Sequence, residues 1–440
     1  AVGAAAVIPD IVGVDLPNVS TFNGLTDAID LRQAANKNQL ERVAVIGGGY
    51  IGCELCESFR ALWGIETILY EQEPQVLPLF LDADLAQLVA GELKRQKVDL
   101  RLGTAVREIA QDGEKLSVIT TAGRESGFDR VILACGVRPR TGLARSASLG
   151  IGVTAGIKVD HCMCTSNPHV YAVGDCVESV HAVTGSPCYL PLGSIANRMG
   201  RVAANAIAGI EDGFAPVCGS ACLKIFDLNV AATGLTAKAA LERGFMVGEA
   251  RGYFLDKPHY YPEVENVSVK LVYDTATLRL LGVQAVGKGE VHRRVDVASI
   301  MLRTGWTLDQ MRDHEHAYSP PYAEALEPLQ VLSFIGIAQE REEVRSVAPL
   351  KLAESAAASV VLDVREDVEV QSEPFPLPCQ KWLHVPFTQL RDRLNELPRD
   401  ERLLVICERG TRSAETTRFL QANGFEKVQY LSGGLRFLQT

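Results

Sequence analysis

The stretch from Arg42 to Glu71 constrains the fold more than any other. Arg42-Val-Ala-Val-Ile46 is a short apolar run of strand type. Gly47-Gly-Gly-Tyr-Ile-Gly52 follows, then a helical segment from Cys53 to Trp63, then a second strand from Ile65 to Glu71. Strand, glycine-rich turn, helix and strand in that order make a βαβ unit of an α/β fold. Gly47, Gly49 and Gly52 each have a task in it. The first allows the tight turn, the second lets backbone approach a pyrophosphate, and the third lets helix and strand pack closely. The helix N-terminus then faces the phosphates. Glu71 stands 24 residues after Gly47, at the end of the second strand. A carboxylate there accepts from a ribose 2′-hydroxyl and repels a 2′-phosphate, so NADH is expected over NADPH. Cys53 and Cys56 lie on the same helix and read as small residues packing it onto its sheet, not as a redox pair.

Other segments show different periods. Leu77 to Gln96 reads as a helix and Asp129 to Ala134 as a strand. Val170 to Asp175 reads as a strand ending in a Gly174-Asp175 turn, followed by a helix over Leu192 to Ala208. Val267 to Tyr273 and Leu280 to Val286 alternate like antiparallel strands. Helices are expected around Arg294 to Thr304 and Thr307 to Arg312, so this block is α+β. Gln339 to Lys351 is charged and reads as a linker. Beyond it, Val360 to Val364 and Arg402 to Ile406 read as strands, and Ser413 to Asn423 as a helix closed by Gly424.

The net charge of −10 disfavours nucleic acid or an anionic membrane as a partner. No apolar run approaches the ~18 residues of a membrane-spanning helix. The eleven cysteines are scattered, without the paired spacing of a zinc site, so no metal is expected. They point to a reducing, cytoplasmic setting.

Cys407-Glu-Arg-Gly-Thr-Arg412 follows the strand-like Leu403-Leu-Val-Ile406 and precedes a helix. A cysteine at a helix N-terminus is favoured as the thiolate nucleophile. The amides of a six-residue loop can ring its sulfur and stabilise a terminal persulfide anion. Gly410 lets the loop close, and Arg412 is expected to add positive charge. With Leu362-Asp-Val-Arg365 upstream and Leu431-Ser-Gly-Gly434 downstream, the segment resembles rhodanese, with Cys407 as the persulfide carrier. Asp363 and Arg365 are expected to brace the loop. Glu408 beside the thiolate is unfavourable for an anionic donor such as thiosulfate.

The rest of the chain resembles the pyridine nucleotide–disulfide oxidoreductases. The resemblance is carried by Ala1-Val-Gly-Ala4, the Gly47–Gly52 turn, Ala134-Cys-Gly-Val-Arg-Pro139 and Thr165-Ser-Asn-Pro-His-Val-Tyr-Ala-Val-Gly-Asp175. Asn197-Arg-Met-Gly-Arg201, His259-Tyr-Tyr-Pro262 and Ala317-Tyr-Ser-Pro-Pro-Tyr322 are similar to the branch of coenzyme A disulfide reductases, NADH oxidases and persulfide or polysulfide reductases. The resemblance implies that Gly174 and Asp175 hold FAD, that Gly136 borders the nucleotide, and that Glu54 lies beside the nicotinamide. It implies that Tyr261 and Tyr318 reach the active site of a partner in a homodimer.

The family also has an N-terminal GxGxxG for the FAD adenylate and a redox cysteine in the same segment. Neither has a counterpart here, so an N-terminal segment is expected to be missing, FAD to be held poorly, and the reductase nucleophile to go unnamed. The family's opening Thr is Val2 in this chain. Leu326 stands where the family has Lys, which weakens the case for coenzyme A as the thiol.

The expected fold class is therefore α/β with two Rossmann-like nucleotide-binding domains, the FAD domain incomplete. An α+β dimerisation domain and a C-terminal rhodanese α/β domain complete it. The expected boundaries are 1–40 for a remnant of the FAD domain and 41–157 for the NAD(P)-binding domain. The second part of the FAD domain spans 158–213, the dimerisation domain 214–338 and the rhodanese domain 345–440. The expected function is NADH- and FAD-dependent reduction of a small-molecule disulfide, persulfide or polysulfide, of coenzyme A or another low-molecular-weight thiol, coupled to sulfur transfer through Cys407. Two alternatives stand beside it. One is an NADH oxidase or peroxidase with an accessory rhodanese domain, and the other a truncated chain that binds NAD and carries sulfur without reducing anything.

Overall fold

The computed structural model describes residues 1–375 and 377–438. It divides into two compact units, Ala1–Asp227 and Leu228–Thr440.

In the first unit, the strand Arg42–Ile46 is buried along its apolar residues and pairs in parallel with Glu66–Tyr70 on one side and Arg130–Leu133 on the other. Strands this covered on both faces read as near-continuous apolar runs. The helix Tyr50–Trp63 crosses between the first two and ends at Gly64, whose φ of 65° provides the left-handed cap. Its inner face carries Cys53, Cys56 and Phe59, at most 2% exposed. Burial, and behind it the Glu71 and Glu54 charges, push the Cys53 thiol up to about 12, and Cys56 is raised as well. Both thiols are packing residues.

Several local expectations change. The strand Val19–Thr21 pairs in parallel with Arg130–Leu133 in this same sheet, so part of the 1–40 segment joins the sheet expected to start at residue 41. The helix expected from Leu77 to Gln96 spans only Ala83–Arg95. Leu77 has a φ of 51° and Asp82 is the N-cap, so Leu77, Phe80 and Leu81 pack as loop and Leu79 is exposed. Val170 to Asp175 forms no named strand. Tyr171 makes a single bridge to Cys164, and Gly174 turns with a φ of 80°. The helix Gly193–Ile207 follows as expected.

In the second unit, Leu228–Gly234, Leu280–Gly287, Asn266–Asp274 and Val247–Leu255 lie side by side in that order, all antiparallel. Helices His292–Thr304, Leu308–Arg312 and Pro328–Glu340 accompany them. The C-terminal sheet is parallel, in the order Ser346–Val347, Val428–Leu431, Leu403–Ile406, Val360–Asp363, Lys381–His384. The expected linker is thus only partly a linker. Its Ser346 and Val347 form the first strand of that sheet, while Gln339 and Glu340 end a helix. The two halves of this unit touch through polar groups. Gln339 donates to Ser346 Oγ at 2.6 Å, Ser268 Oγ to the Phe437 carbonyl at 3.5 Å, and Arg418 pairs with Glu343 at 2.7 Å.

Candidate functional site

Backbone geometry at the Gly47–Gly52 turn matches its residues one by one. Gly47 has a φ of 112°, and a Cβ there would stand 2.4 Å from the Ala134 carbonyl oxygen. A Cβ on Gly52 would stand 1.9 Å from the Gly47 carbonyl oxygen, so only glycine permits this helix–turn approach. Gly49 is the reverse case. It caps the helix Tyr50–Trp63, and nothing lies within 4 Å of where its Cβ would be. The turn is closed at its first and third glycines and open at its second, the geometry that in glycine turns of this kind leaves room for a pyrophosphate.

Glu71 completes this arrangement. Its Oε2 accepts the Gly48 N–H at 2.6 Å and its Oε1 the Glu73 N–H at 2.8 Å, with the residue 7% exposed. A carboxylate held there keeps lone pairs for ribose hydroxyls. Gly136, with a φ of 90°, follows Ala134 and Cys135 on the far wall of the turn. Cys135 lies against the Ile46 carbonyl, and burial, then the Glu71 charge, raise its thiol to about 11. Glu54 lies on the outer face of the helix. Partial burial, then Glu57, raise its carboxyl above the ordinary range. Tyr50, which sequence reasoning passed over, opens the helix beside Gly49, with its ring 4.8 Å from that of Phe80. The signal available was its place inside the glycine turn.

Asp175 stands after the left-handed Gly174, and its backbone carbonyl accepts the Tyr189 hydroxyl at 2.9 Å. Its carboxylate makes no hydrogen bond among the described residues. A free carboxylate at a glycine turn suits the hydroxyls of a polyol chain such as the ribityl group of FAD.

The sulfur site lies in the second unit. The strand Leu403–Ile406 is buried throughout and delivers Cys407 to the start of the helix Thr411–Ala422. The Cys407 sulfur accepts the Gly410 N–H at 3.1 Å and the Ser413 N–H at 3.3 Å, and meets the Ser413 hydroxyl at 3.3 Å. Gly410 has a φ of 89°, and a Cβ on it would meet Gly433, 2.8 Å from the nitrogen. The Leu431–Gly434 segment therefore supports the loop from beneath. Asp363 and Arg365 are buried and bonded to each other, Nη2 to Oδ2 at 2.7 Å, and brace the wall.

Arg412 has a carboxylate partner of its own. Its two terminal nitrogens donate to both oxygens of Glu369, at 2.7 and 2.5 Å. Its charge is matched by a carboxylate before any substrate arrives. Glu369 and Ser413 are the residues sequence reasoning missed. Ser413 could have been found from its place on the first turn after the loop, and Glu369 from the Glu366–Glu369 capping box that follows Asp363-Val-Arg365.

Tyr261 is half-buried and Tyr318 is 51% exposed, and neither hydroxyl makes a hydrogen bond among the described residues. The segment holding Tyr318 is tied back by a contact between His316 Nε2 and the Glu324 carbonyl at 3.2 Å. No helix among the described residues is long and apolar enough to cross a membrane.

Comparison with known proteins gives three family matches. Residues 1–204 match pyridine nucleotide-disulphide oxidoreductase, 220–329 its dimerisation domain, and 348–437 a rhodanese-like domain. A CoA-dependent NAD(P)H sulfur oxidoreductase of Pyrococcus abyssi is 39% identical over 331 residues, 75% of this chain and 73% of that one. An NADH oxidase of Methanocaldococcus jannaschii is 35% identical over 331 residues, 75% of this chain and 73% of that one. The solved structure of an NAD-dependent persulfide reductase from A. fulgidus superposes with a TM-score of 0.92 at 34% identity, covering 100% of this chain and 79% of that one.

Proposed function

We propose, from the premise that this chain belongs to the pyridine nucleotide-disulphide oxidoreductases and continues into a rhodanese-like domain, that it is an NADH- and FAD-dependent reductase of small-molecule persulfides, polysulfides or disulfides. The observation that carries the reading is the pairing of two competent sites on one chain. One is a glycine turn open at Gly49 with Glu71 set on it, and the other a cysteine sulfur with two amide donors at a helix N-terminus.

In the first unit, Gly47, Gly49 and Gly52 receive the pyrophosphate of NADH on the helix N-terminus, and Glu71 orients its adenosine ribose. Gly136 lines the same turn, and Glu54 stands on the helix face toward the nicotinamide. Gly174 and Asp175 hold the ribityl side of FAD. When bound, FAD supplies two-electron transfer from a nicotinamide to a sulfur–sulfur bond.

In the second unit, the Cys407 thiolate attacks the sulfane sulfur of a persulfide RSSH. The S–S bond breaks, RSH departs with the proton, and Cys407 keeps the sulfur as a persulfide anion. The amides of Gly410 and Ser413 stabilise that anion, as donors aimed at developing charge do elsewhere. Tyr261 and Tyr318 are assigned to the partner's thiol site in a two-fold dimer, where a phenol donates to the departing thiolate. Such chemistry belongs in a reducing, cytoplasmic compartment.

The test is anaerobic NADH oxidation by the purified chain supplied with FAD and either glutathione persulfide or coenzyme A persulfide. Sulfide release matched to NADH consumption supports the reading. NADH consumption that needs oxygen and yields peroxide without a sulfur substrate favours the NADH oxidase reading, for which the Methanocaldococcus jannaschii relative is the specific support. Sulfur transfer without any NADH consumption favours a chain that carries sulfur and reduces nothing.

A further inference from the structure

We propose that Glu369 selects the sulfur donor of the Cys407 site: by occupying Arg412 it admits organic persulfides and turns away dianionic donors such as thiosulfate. The inference rests on the reading of Cys407 as a sulfur carrier.

Every guanidinium around the loop is already answered by a carboxylate. Arg412 is held bidentately by Glu369. Arg436 pairs with Glu373 at 2.8 Å and with Glu408 at 3.2 Å. Arg365 pairs with Asp363 at 2.7 Å, and Arg409 lies 4.0 Å from Glu408. Four cations therefore face four anions, and the small cleft beside the loop is lined by members of this set, Arg365, Glu369, Glu373, Glu408 and Arg436.

Glu369 is held from two sides. Besides both Arg412 nitrogens it accepts the Glu366 N–H at 2.7 Å, as the third residue of a capping box. Burial opposes its ionisation, yet the Arg412 hydrogen bond and the Glu366 amide hold its carboxyl down at about 2. It stays charged wherever the enzyme would be assayed, so Arg412 is not released by a change of pH in that range.

The chemistry of the two donor classes then separates them. With thiosulfate, the Cys407 thiolate attacks the outer sulfur, the S–S bond breaks, and sulfite leaves with the bonding pair. Two negative charges must approach the loop, and neither Arg412 nor Arg436 is free to receive them. With an organic persulfide RSSH, the same attack releases RSH and leaves one charge on the transferred sulfur. The two amides on Cys407 are enough for that one charge. Neither transfer needs an oxidant or a reductant. Selection works by withholding a cation from the wrong donor, which is specificity by an unfavourable alternative.

The experiment uses the full chain, cyanide as acceptor and thiocyanate as readout, with thiosulfate and glutathione persulfide as the two donors. The parent is expected to turn over glutathione persulfide far better. Glu369→Gln should raise the ratio of thiosulfate to persulfide kcat/KM by about tenfold, the scale of one freed charge-assisted contact, and added salt should shrink the gain. A merely structural role would lower both rates together and leave the ratio and its salt dependence unmoved. That result, or a parent that uses thiosulfate as readily as persulfide, overturns the proposal. If Glu369→Gln does not fold, Glu369→Asp takes its place, since the shorter side chain gives up the two-pronged hold on Arg412. A ratio unchanged there overturns the proposal equally. Cys407→Ser separates the premise from the inference. Sulfur transfer that survives in it removes the carrier assignment, whatever the ratio does.

Discussion

The Glu71 carboxylate accepts the Gly48 N–H at 2.6 Å, so the acid at the end of one strand and the glycine turn at the end of its neighbour form a single hydrogen-bonded unit. The parallel register places them together, because Ile46 pairs with Tyr70 and both strands end there, side by side. Glu71→Ala removes this acceptor along with the ribose contact. NADH preference over NADPH should narrow by about tenfold, the loss of one or two hydrogen bonds to a charged group. Initial rates with each nucleotide measure it, and equal use of both by the unmutated enzyme would show the reading wrong.

Gly49 and Gly52 should answer substitution in opposite ways. A side chain on Gly49 enters open space, so Gly49→Val should fold normally yet raise the KM for NADH by about tenfold or more, by filling the pyrophosphate approach. Gly52→Ala places a Cβ 1.9 Å from the Gly47 oxygen and should cost about 1–3 kcal/mol or more in stability. Thermal melts beside NADH titrations tell the two apart. A destabilised Gly49→Val with unchanged affinity contradicts the assignment.

Cys407 should carry sulfane sulfur independently of the flavin site. Excess persulfide donor should add about 32 Da, one sulfur atom, at Cys407. Cys407→Ser should abolish transfer to cyanide and leave NADH binding unchanged. Peptide mass spectrometry locates the added atom, and labelling that falls on Cys379 or Cys135 instead would sink the assignment.

The Glu369–Arg412 pair should appear in the pH dependence of stability. The Glu369 carboxyl lies near 2 in the fold against an ordinary value of 4.5. A lowered value in the folded state stabilises above the ordinary value, and that contribution disappears as pH falls from there through the folded value. The parent should therefore melt above Glu369→Gln at about pH 6, with the gap closing toward about pH 2. Calorimetry on both proteins checks it, and a gap independent of pH would remove the ion pair as its cause.

Residues 214–335 should pair two copies of the chain about a two-fold axis, on the strength of the dimerisation-domain match over 220–329. Light scattering at micromolar concentration should return twice the chain mass, and a monomer would count against the roles given to Tyr261 and Tyr318.

The sequence alone determined what depends on neighbours in the chain. The βαβ unit, the three glycines, Glu71 and the Cys407 loop all follow from short-range pattern. A turn, a helix start and an apolar strand are local solutions to local sterics and burial. Even there, runs without a clear period misled. Leu77, Phe80 and Leu81 are as apolar as a helix face yet pack as loop, since the N-cap at Asp82 begins the helix later.

Only the tertiary structure decided which groups answer one another across the chain. Arg412 looks like a free cation in sequence, but Glu369 lies 43 residues before it. The parallel order of the C-terminal sheet sets Val360–Asp363 beside Leu403–Ile406, and so brings the helix that follows the first strand against the loop that follows the second. The charge balance around Cys407 is therefore a property of strand order. A sequence pattern records side-chain type and spacing, and it does not record which ends of which strands share an edge.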